Sequence, residues 1–344
     1  MKRTLFILIA FLPLLLLKAE GRADLKFGTD HRFRIVQFTD IHYEVHNPNS
    51  TKALQGLANI LDQVKPDLVF FTGDIVVDEK MQQGWDEVLA LVIDRKIPWA
   101  VVFGNHDDEH GSSRAQIITH ITSKPFCYAS SGPADVKGVG NYFLRIKNSD
   151  GTKTVAILYG LDSNAYCKNV ENESYGYFDF SQVNWYRTSS RELTAENNGR
   201  PYPALAFFHI PLREYGLLND STKYKRIGNR NEKECYGAQN TGMYAAMHEA
   251  GDVMGTFVGH DHDNDYIGRL NQICLAYGRF SGSATTYGKL TNGARIIDLK
   301  ENKPAFTTWI YTSKNEILYP VMFENKQLIP LSDFQNSYPV NSRK

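Results

Sequence analysis

The chain has 344 residues, 42% of them hydrophobic and 22% charged, an ordinary globular makeup with ample material for a core. Its 38 Lys and Arg balance its 38 Asp and Glu, and no long basic run stands out. That counts against a non-specific binder of nucleic acid or of anionic membranes, either of which would be more basic.

The N-terminus reads as a targeting segment. Lys2 and Arg3 open it, Leu5–Leu17 is apolar, and the small residues Ala19, Gly21 and Ala23 follow. This is the pattern of a secretory signal and is short for a bilayer span, with an uncleaved anchor as the alternative. No Cys follows the apolar stretch closely, which counts against a lipoprotein anchor. With no long Pro/Gly/Ser linker downstream, the expectation is a signal over residues 1–23 and one domain over 24–344. The protein is then secreted or periplasmic, without a membrane anchor.

Short apolar runs follow, and they read as buried strands. Phe33–Thr39 precedes Asp40-Ile41-His42, Asp67–Thr72 precedes Gly73-Asp74, and Pro98–Phe103 precedes Gly104-Asn105-His106-Asp107. Thr51–Val64 and Gln82–Arg95 have helical periodicity and sit as crossover helices between these strands. Taken alone, Asn105-His106-Asp107 also suits a cap for a helix beginning near Ser112. Asn141–Lys147 and Lys153–Leu161 read as strands paired around the Asp150-Gly151 turn, and Ser181–Glu196 as a helix. Ala204–Phe208 runs into His209, and Val253–Val258 into Gly259-His260-Asp261-His262. Between them, Asn219–Tyr236 is polar and basic; it either hangs over the residues around His209 or is a mobile surface loop. Tyr277-Gly278-Arg279 ends another strand-like run, and Arg279 is a candidate bidentate donor to a substrate phosphate.

Five predicted strands thus each hand a polar, metal-ligating type of side chain to the loop at their C-terminal end, where open α/β sheets bind ligands. Any one block is a plausible turn; their recurrence at strand ends points to a metal site. Asp74 is suited to bridge two ions, Asp40 and His42 to complete one site with a distal His, and Asn105 with the remaining His residues to complete the other. Two divalent ions set against two carboxylates and a bridging hydroxide leave net positive charge, which suits an anionic phosphate ester. Gly73, Gly104 and Gly259 allow sharp turns and close backbone approach.

The order DxH…GD…GNHD…H…GHxH, from about Phe33 to about Ile297, resembles the calcineurin-like metallophosphoesterase superfamily. Ile97–Glu109, Gly138–Ile146, Ala204–Pro211 and Gly259–Tyr266 are similar in combination to the small purple-acid-phosphatase-like group. The resemblance implies an α/β fold of two stacked mixed β-sheets flanked by helices, in four layers. It implies one metal on Asp40, His42, Asp74 and His262, and a second on Asp74, Asn105, His209 and His260, as Zn, Mn or Fe. His106 would protonate the leaving oxygen or stabilise the transition state, with Asn105 beside it and Asp107 orienting it. Some members instead pair this His with an Asp three residues after the bridging Asp; here that position is Val77, with Asp78 one step on. Typical purple acid phosphatases carry a Tyr at the Val77 position and lack His42, so the first metal site should be free of tyrosinate.

The activity so implied is a secreted dimetal phosphoesterase that attacks phosphorus with a metal-bridging hydroxide, acting first on phosphomonoesters of small molecules and not on nucleic acid. The alternatives are a phosphodiesterase or nuclease of the same superfamily, or a catalytically weak metal-bound protein that recognises a phosphorylated ligand. Cys127, Cys167, Cys235 and Cys274 permit three disulfide pairings, and Cys274 suits a buried thiol. His46, His110, His120 and His248 read as bystanders, with only His110 near a motif. Oligomeric state is not legible.

Overall fold

The computed structural model describes residues 23–167 and 174–334. The predicted signal therefore lies almost wholly outside the described residues. The first part runs β1 (Arg32–Phe38), α1 (Pro48–Val64), β2 (Leu68–Thr72), α2 (Met81–Ile93), β3 (Trp99–Val102) and α3 (Arg114–Thr122). Next come β4 (Tyr142–Lys147), β5 (Thr154–Gly160), the short hairpin β6 (Tyr166–Cys167) and β7 (Ser174–Tyr175), α4 (Phe180–Glu196) and β8 (Ala204–Phe207). A 3-10 helix at Arg213–Asn219 leads to β9 (Arg226–Ile227), α5 (Met243–Ala250), β10 (Val253–Val258), β11 (Ile267–Leu270) and β12 (Ile273–Tyr277). Four strands close the described chain: β13 (Gly293–Lys300), β14 (Phe306–Thr312), β15 (Ile317–Glu324) and β16 (Gln327–Pro330).

Two seven-stranded sheets result, in the orders β16-β15-β14-β13-β1-β2-β3 and β4-β5-β8-β10-β12-β11-β9. Both are mixed. β1, β2 and β3 run parallel, as do β5, β8, β10 and β12, while the outer pairs are antiparallel. Parallel strands need crossovers, and α1, α2 and α4 supply them. In α1, Asn47 caps the start by accepting the Asn49 amide, Pro48 fits the first turn, and Leu57, Ile60, Leu61 and Val64 face the sheet. α3 is capped by Ser113, which exchanges hydrogen bonds with Gln116, so Asn105-His106-Asp107 is not its cap.

Aromatic rings join the sheets. Phe70 of β2 stacks on Phe207 of β8 at 4.1 Å between centroids, and Phe207 in turn stacks on Phe257 of β10 at 5.4 Å. Such pairs add about 0.5–1.5 kcal/mol beyond their burial. Gln37 of β1 reaches across to the Val258 carbonyl at 3.1 Å. The C-terminal ends of β1, β2, β3, β8 and β10 are thereby held at one edge of the sandwich. The segment 219–236 is neither loose nor an outlying loop. It adds β9 to the second sheet, and its Glu232 accepts the Asp263 amide at 2.5 Å. The four cysteines are free thiols. Among the described residues no helix is long and apolar enough to cross a membrane.

Candidate metal centre

Each predicted strand ends as expected, and the loops beyond are cross-linked by backbone hydrogen bonds. The Asp40 amide donates to the Gly73 carbonyl at 3.0 Å and the His42 amide to the Asp74 carbonyl at 3.0 Å. The His106 amide donates to Asp74 Oδ1 at 2.8 Å, and the His260 amide to the Asp40 carboxylate at 3.1 Å. Asp40, His42, Asp74 and His260 all adopt left-handed backbone, with φ of 54°, 47°, 53° and 81°. Such residues cost about 1–3 kcal/mol each and persist where the surroundings over-determine them. Gly104 and Gly259 are required by contact. A Cβ on Gly104 would lie 2.1 Å from Asp74 Oδ1, and one on Gly259 would lie 1.9 Å from the Thr39 hydroxyl.

The side chains converge in two groups. Asp40, His42 and His262 place ligand atoms within 4.8 Å of one another, and so do Asp74, His209 and His260. All six are buried. His42 Nε2 lies 3.7 Å and His209 Nε2 3.1 Å from Asp74 Oδ2, and His262 Nε2 lies 3.4 Å from Asp40 Oδ1. The two groups are therefore adjacent, and Asp74 faces both.

The histidine rings are set from behind. His209 Nδ1 contacts the Thr72 carbonyl at 2.8 Å and His262 Nδ1 the Tyr287 carbonyl at 2.7 Å. A carbonyl only accepts, so Nδ1 carries a proton and Nε2 is the nitrogen turned to the site. His262 is sandwiched between the rings of Tyr287 and Phe280 at 4.1 and 5.1 Å, and Tyr175 stands edge-on to His260 at 4.2 Å.

The fit to cations rests on orphaned donors. His42 Nε2, Asn105 Oδ1, His209 Nε2 and His260 Nε2 are buried and have no hydrogen-bond partner; His209 Nε2 is near Asp74 but misaligned with it. Leaving one such atom dry and unpaired costs about 1–3 kcal/mol, and bound cations would satisfy all four. Burial pushes His42 down to about 4 and His260 down to about 3, which keeps both imidazoles neutral and able to ligate. Burial acts the same way on His209, but the Asp74 carboxylate outweighs it and holds that ring above its ordinary value. A cation bound between Asp74 and His209 would replace that proton.

Two expected roles change. Asp107 does not touch His106. Its carboxylate accepts the amides of Gly104 at 2.7 Å, Ile75 at 2.8 Å and Asp74 at 2.9 Å, tying the β2 and β3 loops together. Arg279 does not face a substrate. It is 3% exposed, paired with Asp265, and donates to the Thr291 carbonyl at 2.6 Å. His106 itself stands at the rim, its ring 5.3 Å from that of His42, and its Nδ1 meets Glu109 Oε2 at 2.5 Å. Tyr166 of the β6–β7 hairpin donates to Glu109 Oε1 at 2.6 Å and accepts from Asn105 Nδ2 at 3.0 Å. Sequence reading missed Glu109 and Tyr166. The first had a signal, an acid three residues after His106; the second, 61 residues beyond Asn105, had none.

Among known proteins, the family described as calcineurin-like phosphoesterase matches residues 33–264 of this chain. Two plant proteins from Arabidopsis thaliana are similar over most of their length. Probable inactive purple acid phosphatase 29 is 32% identical across 84% of this chain and 82% of its own. Probable inactive purple acid phosphatase 14 is 31% identical across 84% of this chain and 80% of its own. A dimetal phosphatase from Danio rerio shares the fold, with a TM-score of 0.58 at 12% identity over 84% of this chain and 98% of that one.

Proposed function

The chain belongs to the calcineurin-like phosphoesterase family, and from that premise we propose that it is an active, secreted phosphomonoesterase that works with two divalent cations. One observation carries the reading: four buried donor atoms without hydrogen-bond partners converge with two buried carboxylates beside a rim histidine. Asp40, His42 and His262 would hold one ion, and Asn105, His209 and His260 the other, with Asp74 between them. When bound, the ions would lower the pKa of a water between them and polarise the phosphoryl oxygens. Zn, Mn or Fe(II) suits these imidazole and carboxylate donors.

The chain's own groups supply the rest. Asp40 and Asp74 would be taken up by the cations, which leaves His106 as the side chain able to give a proton to the leaving oxygen. The Asn105 amide, held by Tyr166, and the His106 ring line the place where phosphoryl charge grows. The net positive charge that two bound cations would leave favours a dianionic monoester over a singly charged diester. Export is supported by the basic start, the apolar Leu5–Leu17 and the small residues after it.

A second reading is a metal-bound protein that recognises a phosphorylated ligand without turnover, since the two plant relatives carry "inactive" in their names. A binder has no need of His106, so its presence beside the full donor set favours catalysis. Metal analysis of the purified protein followed by turnover of p-nitrophenyl phosphate and bis-p-nitrophenyl phosphate separates the possibilities. Two metals with a preference for the monoester supports the proposal; two metals with no hydrolysis of either sinks it in favour of the binder.

A further inference from the structure

We propose that Glu109, clamped by Tyr166, is the positioning residue for His106. The inference rests on the reading that His106 acts on a bound ester, and it concerns what holds that ring in place.

The other nearby carboxylates are spent elsewhere. Asp107 binds backbone amides of two loops, and Asp78 accepts the amides of Val45 at 2.8 Å and Lys80 at 2.7 Å. Val77 has no polar side chain. Glu109 is the acid that reaches the ring, at 2.5 Å from Nδ1. Its second oxygen is taken by the Tyr166 hydroxyl at 2.6 Å. Burial raises the Glu109 carboxyl, but the bonds from His106 and Tyr166 outweigh it and hold the group below its ordinary value. An ionised carboxylate has no proton to give, so both partners must be donors. His106 therefore carries hydrogen on Nδ1, and Nε2 is the nitrogen left for the substrate.

His106 is then fixed at two points. Its amide is bound to Asp74 Oδ1 at 2.8 Å and its ring to Glu109. Tyr166 completes a closed chain, because its oxygen also accepts from Asn105 Nδ2 at 3.0 Å. The hairpin β6–β7 thus reaches the carboxylate behind the general acid and a metal-ligand candidate with one hydroxyl. In the reaction, a hydroxide oxygen bonds to phosphorus as the P–O bond to the leaving group breaks with its electron pair going to oxygen, and His106 Nε2–H gives that oxygen its proton and regains one from water. The Nδ1–H stays on the Glu109 side throughout. Glu109 holds the Nδ1–H and so keeps Nε2 on target, as carboxylates behind catalytic histidines do.

The test uses the full chain loaded with zinc, and the variants Glu109→Gln, Tyr166→Phe, His106→Ala and the Glu109→Gln/His106→Ala double. Glu109→Gln should lower kcat on glycerol phosphate, whose leaving alkoxide needs a proton, by about tenfold or more, at the lower end of what such supporting groups contribute. The loss on p-nitrophenyl phosphate should be smaller, KM should stay within about twofold, and zinc content should not change. In the His106→Ala background the same substitution should cost nothing further. Tyr166→Phe should shift both substrates in the same direction by less. Full kcat in Glu109→Gln, or an equal loss with His106 already removed, overturns the proposal.

A catalysis-free readout separates this from failure of the functional reading. In ring 15N spectra of the zinc-loaded protein, the signal missing from His106→Ala should report hydrogen held on Nδ1, becoming a tautomer mixture in Glu109→Gln. A locked ring in a wild-type protein that hydrolyses nothing leaves the positioning intact and removes the proposed activity. A mixture already present in wild type overturns the positioning role.

Discussion

Asp107 Oδ2 accepts the backbone N–H of Asp74 at 2.9 Å, so the carboxylate just after the rim histidine fixes the backbone of the residue that faces both ligand groups. The same oxygen accepts from Gly104 at 2.7 Å, and Oδ1 accepts from Ile75 at 2.8 Å. Asp107→Asn replaces one of these acceptors by an NH2 that must face N–H donors. We expect a loss of stability of about 1–3 kcal/mol in urea unfolding. We also expect about 10- to 100-fold weaker metal binding, as for a lost supporting contact. Unchanged metal affinity in Asp107→Asn would contradict the loop-tying role.

Chelation tests the donor set as a whole. Removing divalent ions should abolish hydrolysis of p-nitrophenyl phosphate, and adding Zn, Mn or Fe(II) back should restore it. The ions should also stabilise the fold by mass action, about 2.7 kcal/mol at 100 times the dissociation constant. The orphaned Nε2 atoms of His42 and His260 are the physical reason, since a cation satisfies them at once. Full activity after verified removal of both metals would refute the two-ion reading.

His106 and Asp74 should separate cleanly. His106→Ala removes a rim group that bonds to no residue of the two ligand groups through its ring, so metal content should stay near wild type. Turnover should fall by roughly 100-fold or more, as for a lost general acid or donor. Asp74→Asn should weaken both sites together, because its carboxylate lies against His42 and His209 from the two groups. Equal metal loss in the two variants, read by elemental analysis after gel filtration, would show that the roles are misassigned.

Arg34 and Asp298 offer a test of the scaffold far from the chemistry. They are register partners on β1 and β13, both 0% exposed, with Arg34 Nε and Nη2 each 2.8 Å from a different Asp298 oxygen. Asp298→Ala takes the carboxylate from the buried guanidinium, leaving the Val64 carbonyl at 3.0 Å to a charge without its counter-ion, and should cost about 3–5 kcal/mol by urea unfolding. A change under about 1 kcal/mol would mean that water reaches the pair.

This buried pair also shows where sequence reading stops. β2, β3, β8 and β10 were legible because both faces are buried and their residues are almost all apolar, and β1 because Ile35, Val36 and Phe38 run into the Asp40 block in spite of Arg34 and Gln37. β13 is as buried, yet Gly293–Lys300 carries Arg295 and Asp298, and charged residues that find partners in the core break the apolar run. The ligand candidates were legible for a related reason. They sit in contiguous blocks at the ends of legible strands, and the structure gathers Asp40, His42 and His262 in one group and Asp74, His209 and His260 in another. Arg279 misled because its partner Asp265 is brought to it only by the fold. The carbonyls of Thr72 and Tyr287 that orient His209 and His262 belong to the backbone, which no side-chain pattern marks.

The iron-loaded protein should be colourless through the middle of the visible range. The purple of the phosphatases that this chain resembles comes from tyrosinate on ferric iron, and the corresponding position is Val77. Three tyrosines near the centre are engaged otherwise. Tyr43 donates to Glu87, Tyr166 to Glu109 at 2.6 Å, and Tyr287 to Glu232 at 3.2 Å while its ring face covers His262. His42 places a neutral nitrogen in the first group instead, its ring held neutral by burial. Imidazole and carboxylate donors suit Fe(II) or Zn without calling for Fe(III). Concentrated protein loaded with iron under air is the sample to measure. Tyr166 is the tyrosine to watch, because its oxygen already touches Asn105. A strong visible band that disappears in Tyr166→Phe would show that this phenol leaves Glu109 for the metal, and the tyrosinate-free assignment would then be wrong.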